Sequence, residues 1–179
     1  MSKINYNITK IRAFVFDVDG VLSPSVVPMS EDGRPARMVN VKDGFALKQA
    51  VRKGFKVAVI TGADTEAIAR RMRLIGVDDV FLCVGDKLEV LKEWMKQRGL
   101  NADEVAFAGD DVPDIACMKH VGLSVAPHDA DADVKAVAVH ISHCDGGYGV
   151  ARELIKETML AQGKWPASAN PVTTTCVRP

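Results

Sequence analysis

Short apolar runs of strand length alternate with longer segments of helical periodicity along most of the chain. The apolar runs occupy residues 12–16, 56–60, 80–84, 105–108, 123–126 and 137–141. Apolar residues recur three or four positions apart in residues 45–52, 65–74, 87–97, 114–120 and 150–160. Continuous apolar runs are typical of strands that are covered on both faces. The alternation therefore predicts an α/β fold with a doubly wound parallel sheet between two layers of helices.

The segment at residues 21–41 interrupts this alternation. It follows the first predicted strand without a helix, and the turn-forming sequence EDGRP at residues 31–35 lies midway between two short β-like arms. Such an arrangement is typical of a β-hairpin. We therefore expect a hairpin flap after the first strand.

The length of 179 residues suits one globular domain, and 47% hydrophobic residues are enough for a single core. We place this domain at residues 1–164. Residues 165–179 contain three prolines and a threonine run without periodicity. We expect this tail to be disordered or to dock on a neighbouring subunit, because it cannot bury enough apolar surface to fold alone.

The charge balance argues against polyanionic partners. The 23 basic residues equal the 23 acidic residues, so no global field favours nucleic acid or an anionic membrane surface. The N-terminal apolar run at residues 13–16 is too short for a signal peptide core or a membrane span. A cytoplasmic protein is the simplest interpretation. The four cysteines lie far apart without a C-x-x-C pair, as expected of reduced thiols.

Acidic residues gather at two of the predicted strand ends. The first strand ends in DVDG at residues 17–20, and the fourth runs into GDDVPD at residues 109–114. Carboxylates at one sheet edge repel each other unless a cation or a shared proton relieves them. Magnesium, which prefers oxygen ligands, fits best. Gly20 would let the chain turn away sharply after the strand and expose backbone N–H groups to an anion.

Polar residues also follow the second and third predicted strands. Thr61 and Gly62 come after the second strand, where a hydroxyl and a free N–H can hold a phosphate oxygen. Taken alone, Thr61 is better explained as a turn cap. Lys87 opens a helix, where the helix dipole disfavours a cation. A solvated lysine is the alternative, but the position at a strand end favours a role in neutralising phosphate charge.

The motifs DVDG, ITG, a lone lysine and GDDVPD, in this order and spacing, resemble those of the haloacid dehalogenase superfamily. A bacterial receiver domain combines similar residues on a doubly wound sheet, but in the order acidic pair, Asp, Thr, Lys. The flap-sized insert and the stretches at residues 40–45, 121–126 and 160–164 resemble the 3-deoxy-D-manno-octulosonate 8-phosphate phosphatase family, which lacks a large cap domain. This similarity spans residues 11–164.

The resemblance implies a phosphatase that works through an aspartyl-phosphate. Asp17 would attack phosphorus, while Asp19 would protonate the departing sugar oxygen and then deprotonate the attacking water. Thr61 and Lys87 would complete the catalytic set by neutralising the transferring phosphoryl group.

The cofactor implied by the resemblance is magnesium. Its protein ligands would be Asp17, the backbone carbonyl of Asp19, and Asp110. Either Asp111 or Asp114 would support these ligands from the surrounding shell.

The implied substrate is a keto-deoxy sugar-acid phosphate of lipopolysaccharide biosynthesis, and the implied assembly is a homotetramer with its flap hairpins packed together. Ala63 and Tyr148 stand where the family has arginines, which weakens the expected grip on the substrate carboxylate. Other arginines, on the flap or at positions 70, 71 and 73, can compensate, since arginine binds carboxylate bidentately. The expected substrate contacts are Thr61, Gly62, Lys87, Arg34, Arg37, Lys42 and Arg70.

Two alternatives remain open at this point. The closest enzymatic alternative is a phosphatase for a nine-carbon keto-acid 9-phosphate of the acylneuraminate or deaminoneuraminate type. The non-enzymatic alternative is an inactive scaffold of the same superfamily whose flap drives assembly, although it would have kept every acid, threonine and lysine needed for turnover.

Overall fold

Six parallel strands form one sheet in the order β3-β2-β1-β4-β5-β6. A computed structural model of the chain describes residues 4–166. The first strand lies inside the sheet, with Phe16 opposite Val59 on one side and Ala108 on the other. The strands are β1 (Ala13–Phe16), β2 (Lys56–Ile60), β3 (Asp79–Phe81), β4 (Val105–Ala108), β5 (Leu123–Ala126) and β6 (His140–Ile141).

Helices cover both faces of the sheet. One core cluster joins Phe14 to Leu47 and Leu154, and the opposite cluster joins Val15 to Trp94. The predicted doubly wound parallel sheet without a large cap domain is thus confirmed. The helices are α1 (Val41–Arg52), α2 (Glu66–Leu74), α3 (Lys87–Arg98), α4 (Ile115–His120), α5 (Ala132–Val137) and α6 (Val150–Ala161).

Several elements differ from the sequence prediction: α1 begins four residues before the predicted helix, and β6 begins at His140 instead of residue 137. The helix α5 was not predicted, and it includes Val137, where a strand was expected to begin. Asp131 caps this helix by accepting a hydrogen bond from the N–H of Asp133 at 2.9 Å. The strand β3 ends at Phe81 instead of residue 84, because the next residues bond to the loop after β2 and Cys83 adopts a φ of 55°.

The flap is less regular than the predicted hairpin. Its two arms meet at a single antiparallel bridge between Met29 and Pro35. The turn is closed by the N–H of Ser30, which donates to the carbonyl of Arg34 at 2.8 Å. The arms of the expected hairpin are therefore paired, but only at this one bridge. A ladder is disfavoured because prolines at positions 24, 28 and 35 supply no N–H donors.

The C-terminal end of the described region packs on the body of the domain. The Trp165 ring lies 4.4 Å from the guanidinium carbon of Arg152 and 6.2 Å from the Phe45 ring. Ordered structure therefore continues past the predicted domain boundary at residue 164. The rest of the predicted tail, residues 167–179, lies outside the described residues. No helix within residues 4–166 is long and apolar enough to cross a membrane.

Candidate active site

The ends of β1, β2 and β4 bring the predicted site residues to one edge of the sheet. The register aligns Phe16 with Val59 and Ala108, so the residues after each strand leave the sheet side by side. The N–H of Asp17 still donates to the carbonyl of Ala108 at 3.0 Å. This bond fixes the backbone of the first acidic residue before the chain turns away.

Asp17, Asp110 and Asp114 form a compact cluster of carboxylates. Each contributes an oxygen, and these oxygens lie within 4.8 Å of one another. Asp17 and Asp114 are buried, whereas Asp110 is partly buried. Gly20 leaves room for the cluster, because a Cβ atom at this position would lie 1.8 Å from Oδ2 of Asp110.

Lys87 is the cation of this cluster. Its Nζ lies 3.0 Å from Oδ2 of Asp17 and 2.8 Å from Oδ1 of Asp114, and its side chain is buried. Burial alone would lower the pKa of Lys87, but the carboxylates of Asp17 and Asp114 outweigh burial and raise it. The lysine is therefore protonated and not the solvated residue of the alternative interpretation.

One lysine does not balance the three carboxylates of this cluster. Burial, followed by the charge of Asp114, raises the pKa of Asp17 to about 6. Burial, followed by the charges of Asp17 and Asp114, raises the pKa of Asp110 to about 7. In addition, Oδ1 of Asp17 is buried and has no hydrogen-bond partner within residues 4–166. Excess negative charge with an unpartnered carboxylate oxygen suits a hard divalent cation, so these residues fit magnesium.

The structure distinguishes the two acids that the sequence left open as supporting residues. Asp114 accepts the N–H of Asp110 at 3.0 Å and the ammonium of Lys87 at 2.8 Å. Asp111 is exposed and accepts the N–H of Val112 at 2.7 Å, which caps a short 3₁₀ turn. Asp114 thus holds both Asp110 and the lysine, whereas the hydrogen bond that the Asp111 carboxylate accepts within residues 4–166 comes from the next residue.

Asp19 occupies a different position from Asp17. Its carboxylate lies outside the cluster and accepts two hydrogen bonds from Arg37 of the flap, each 2.7 Å long. The Asp19 side chain is 43% exposed, whereas Arg37 is 11% exposed. Arg37 was predicted to contact the substrate, and no sequence pattern indicates that it pairs with Asp19.

Thr61 has the turn-cap geometry that one of the two interpretations predicted. The residue is buried, and its hydroxyl accepts the N–H of Ala63 at 3.2 Å, as a turn cap does. Its carbonyl also accepts the N–H of Val84 at 3.0 Å, which fixes the backbone between two strand ends. Within residues 4–166 the hydroxyl is used as an acceptor, and its proton is available to donate to a ligand oxygen. Gly62 beside it is exposed.

The remaining predicted substrate contacts are dispersed. Arg34 and Arg37 line a cleft of about 530 Å³ between the flap and residues 64–67. Lys42 and Arg70 are exposed on α1 and α2 and do not line this cleft. Arg34 has one ionic partner in the described region, Asp32 at 3.7 Å. A single chain thus gathers Asp17, Asp110, Asp114 and Lys87, whereas the residues predicted to contact the sugar lie apart from one another.

Comparison with known proteins agrees with this geometry. A family model described as haloacid dehalogenase-like hydrolase matches residues 84–154. The 3-deoxy-D-manno-octulosonate 8-phosphate phosphatase of Salmonella typhi is 34% identical over 154 residues, which cover 86% of this chain and 82% of the relative. The corresponding protein of Escherichia coli K12 is 33% identical with the same coverage.

Solved structures give the same result. The phosphatase of that name from Yersinia pestis superposes with a TM-score of 0.84 at 32% identity, covering 88% of this chain and 85% of that one. The one from Moraxella catarrhalis, in complex with magnesium, phosphate and a 3-deoxy-D-manno-octulosonate molecule, has a TM-score of 0.83 at 28% identity, covering 87% and 90%. By its sequence, fold and cluster of carboxylates, the chain belongs to the 3-deoxy-D-manno-octulosonate 8-phosphate phosphatase family of haloacid dehalogenase-like hydrolases.

Proposed function

We propose that this protein is a magnesium-dependent phosphatase that hydrolyses 3-deoxy-D-manno-octulosonate 8-phosphate to the free sugar acid and phosphate. The observation that carries the proposal is the buried Asp17, with one carboxylate oxygen on Lys87 and the other unpartnered in the described region. A nucleophile needs a carboxylate that is held in place and has an oxygen that no other donor occupies. The substrate is proposed from the relatives, which carry this activity in their names and are 33–34% identical.

The reaction proceeds in two steps on Asp17. In the first, a carboxylate oxygen of Asp17 attacks phosphorus, the bond from phosphorus to the sugar oxygen breaks, and Asp19 donates a proton to that oxygen. In the second, Asp19 removes a proton from water, which attacks phosphorus and releases phosphate and the Asp17 carboxylate. The separate surroundings of Asp17 and Asp19 allow one to remain ionised while the other exchanges a proton.

The charge of the phosphoryl group is met by fixed groups of the protein. Lys87 is held between Asp17 and Asp114, so it does not have to reorganise when charge develops. The hydroxyl proton of Thr61 is available for a phosphoryl oxygen. Asp17, Asp110 and the backbone carbonyl of Asp19 would hold magnesium, with Asp114 behind them. When bound, the metal supplies further neutralisation and orients the phosphate.

The sugar acid would lie in the cleft between the flap and residues 64–67. Arg34 is the substrate arginine that this chain itself offers, because its contact with Asp32 is long and exposed. Lys42 and Arg70 contribute if a neighbouring subunit brings them to the cleft. We therefore include in the proposal a homotetramer with packed flaps, located in the cytoplasm.

The proposal is tested by steady-state kinetics of phosphate release from the purified full-length protein. The wild type should hydrolyse 3-deoxy-D-manno-octulosonate 8-phosphate in the presence of magnesium and stop when the metal is chelated. Asp17→Asn keeps the size of the side chain but removes the nucleophile, so kcat should fall by at least about a thousand-fold. Retained turnover in this variant would exclude Asp17 as nucleophile.

The same assay separates the alternatives. A kcat/KM higher for N-acetylneuraminate 9-phosphate than for the eight-carbon substrate would assign the protein to nine-carbon acids. Absence of magnesium-dependent phosphate release from any sugar-acid phosphate would leave the inactive scaffold as the correct description. Asp111→Asn is the matched control for Asp17→Asn, because Asp111 is exposed and caps a turn.

A further inference from the structure

Arg37 binds the proposed general acid and base directly. Its Nε donates to Oδ1 of Asp19 and its Nη2 donates to Oδ2, both at 2.7 Å. Within residues 4–166, the Asp19 carboxylate accepts hydrogen bonds from no other residue. Two parallel charge-assisted bonds fix the plane of a carboxylate as well as its position. The orientation of Asp19 therefore depends on a residue of the flap.

Hydrogen bonds at the base of the flap hold this arginine in place. The N–H of Met38, the next residue, donates to the hydroxyl of Ser23 at 3.1 Å and joins the two ends of the flap. Gly147 contacts both ends as well: its N–H donates to the carbonyl of Val21 at 2.8 Å, and its carbonyl accepts the side-chain amide of Asn40 at 3.1 Å. The base of the flap is thus fixed even though its tip has one bridge.

We infer that Arg37 is a positioning residue that orients Asp19 for proton transfer, and that it does not bind the substrate carboxylate. This inference rests on the proposed phosphatase function and assigns a role within it. The ionised carboxylate held by Arg37 is the form that takes a proton from water. When Asp19 carries the proton for the sugar oxygen, the protonated oxygen becomes a donor and exchanges its bond to Arg37 for one to the leaving group.

The two roles of an arginine at this place have different kinetic consequences. An arginine that bound the substrate carboxylate would matter only for substrates with a carboxylate, and its loss would mainly raise KM. An arginine that orients Asp19 matters for every phosphomonoester, because in the second step Asp19 deprotonates the water that attacks the same aspartyl-phosphate. Its loss lowers kcat.

The test compares Arg37→Ala with wild type on 3-deoxy-D-manno-octulosonate 8-phosphate and on p-nitrophenyl phosphate, which has no carboxylate. We expect kcat to fall by about 30- to 100-fold on both substrates, the loss expected when a catalytic group is misplaced. In an Asp19→Asn background, the same change should lower kcat less than about threefold, because residues that act as a unit are not additive. Arg37→Lys should restore only part of kcat, since it keeps the charge but not the fork.

Three results would overturn the inference: unchanged kcat of Arg37→Ala on p-nitrophenyl phosphate, a rise in KM confined to the sugar acid, or full additivity with Asp19→Asn. If Arg37→Ala does not fold, the single variant Arg37→Lys and its combination with Asp19→Asn provide the same double-mutant cycle.

The control variant is Arg12→Ala. It removes an arginine–carboxylate pair with Glu104 (3.0 Å) at the opposite edge of the sheet and should leave kcat unchanged. A wild type inactive on both substrates would refute the proposed function itself, whereas an active wild type with an unaffected Arg37→Ala would refute only this assignment.

Discussion

Gly20 serves the site in two separate ways. Its φ is 75°, a left-handed conformation that costs other L-residues about 1 kcal/mol or more. Independently, a Cβ atom here would lie 1.8 Å from Oδ2 of Asp110. Gly20 has no Cβ atom, and this absence allows both the turn that directs the chain away from β1 and the space for the Asp110 carboxylate.

Gly20→Ala should therefore damage the site more than the fold. We expect Asp110 to be displaced, so the magnesium concentration for half-maximal activity should rise at least about tenfold, while stability falls by about 1–2 kcal/mol. Magnesium titration of activity and thermal unfolding measure the two effects. Gly54→Ala is the matched control, because Gly54 has a φ of 85° and open space around it. Equal losses of metal response in both variants would show that backbone strain, and not Asp110, is responsible.

At the residue scale, the sequence predicted the groups that follow strands directly. Asp17 and Asp110 were placed together because parallel strands end at one edge, so position in sequence determines position in space. Lys87 lies six residues beyond the end of β3, at the start of α3, and its side chain reaches the same edge. Arg37 was placed in the site, but its pairing with Asp19 was not predicted, because that contact depends on how an irregular flap folds back. The choice between Asp111 and Asp114 likewise depended on side-chain direction in a 3₁₀ turn, which spacing does not specify.

At the scale of elements, a buried carboxylate joins α1 to α6. Oδ1 of Asp43, in the first turn of α1, accepts the N–H of Arg152 at 2.6 Å, whereas the N-cap Gly149 offers no side chain to α6. Oδ2 is buried and has no partner in the described region. Burial outweighs the bond from Arg152 and raises the pKa of Asp43 to about 6.

This pKa predicts a pH dependence of stability. An acid with a folded-state pKa above its unfolded value binds more protons in the folded state, so the free energy of unfolding decreases as pH rises from about 4 to about 6. Asp43→Asn should remove the part of this decrease that Asp43 causes, while Asp17 and Asp110, whose pKa values are also raised, keep theirs. The stability of the variant relative to wild type should therefore be about 2 kcal/mol greater at pH 7 than at pH 4. Urea unfolding at pH 4 and pH 7 in the presence of a chelator measures this difference in the free energy of unfolding. Asp133→Asn is the control, because Asp133 is exposed. Parallel pH curves for wild type and Asp43→Asn would contradict this account.

The elements themselves differ in how well their sequences specify them. The strands β1, β2, β4 and β5 were predicted within one residue, because all but their outermost residues are buried and their apolar runs are continuous. The edge strands β3 and β6 were not, since partly exposed strands carry a weaker pattern. In α5 only Val134 is buried, so the sequence of this helix shows no helical apolar periodicity. The sequence feature that indicates the helix is Asp131 at its N-cap.

At the scale of the whole molecule, apolar side chains of the flap lie on the surface of the chain. Val26 is 87% exposed and Met29 is 77% exposed, and Val41 and Phe45 at the start of α1 are also exposed. Single exposed apolar residues are common, but several in one segment are typical of an interaction site. They are the chemical basis for proposing that flaps pack against each other.

Replacing these side chains should therefore dissociate the proposed tetramer. We expect the double change Val26→Asp and Met29→Asp to shift the sedimentation coefficient from that of a tetramer to that of a smaller species, because each would bury an unpaired charge. Leu74→Asp, at an equally exposed leucine at the end of α2, should leave the assembly unchanged. A wild type that sediments as a monomer would remove the tetramer from the proposal.

The central position of β1 has a consequence for how the protein opens. Amide protons of a strand flanked by β2 and β4 and covered by helices on both faces exchange with solvent only in the rarest, global openings. The nucleophile directly follows this strand, whereas the tip of the flap, with its one bridge, belongs to the part that opens at low cost. We therefore expect the flap to open and close many times, admitting and releasing substrate, for each global opening that exposes the amides of β1.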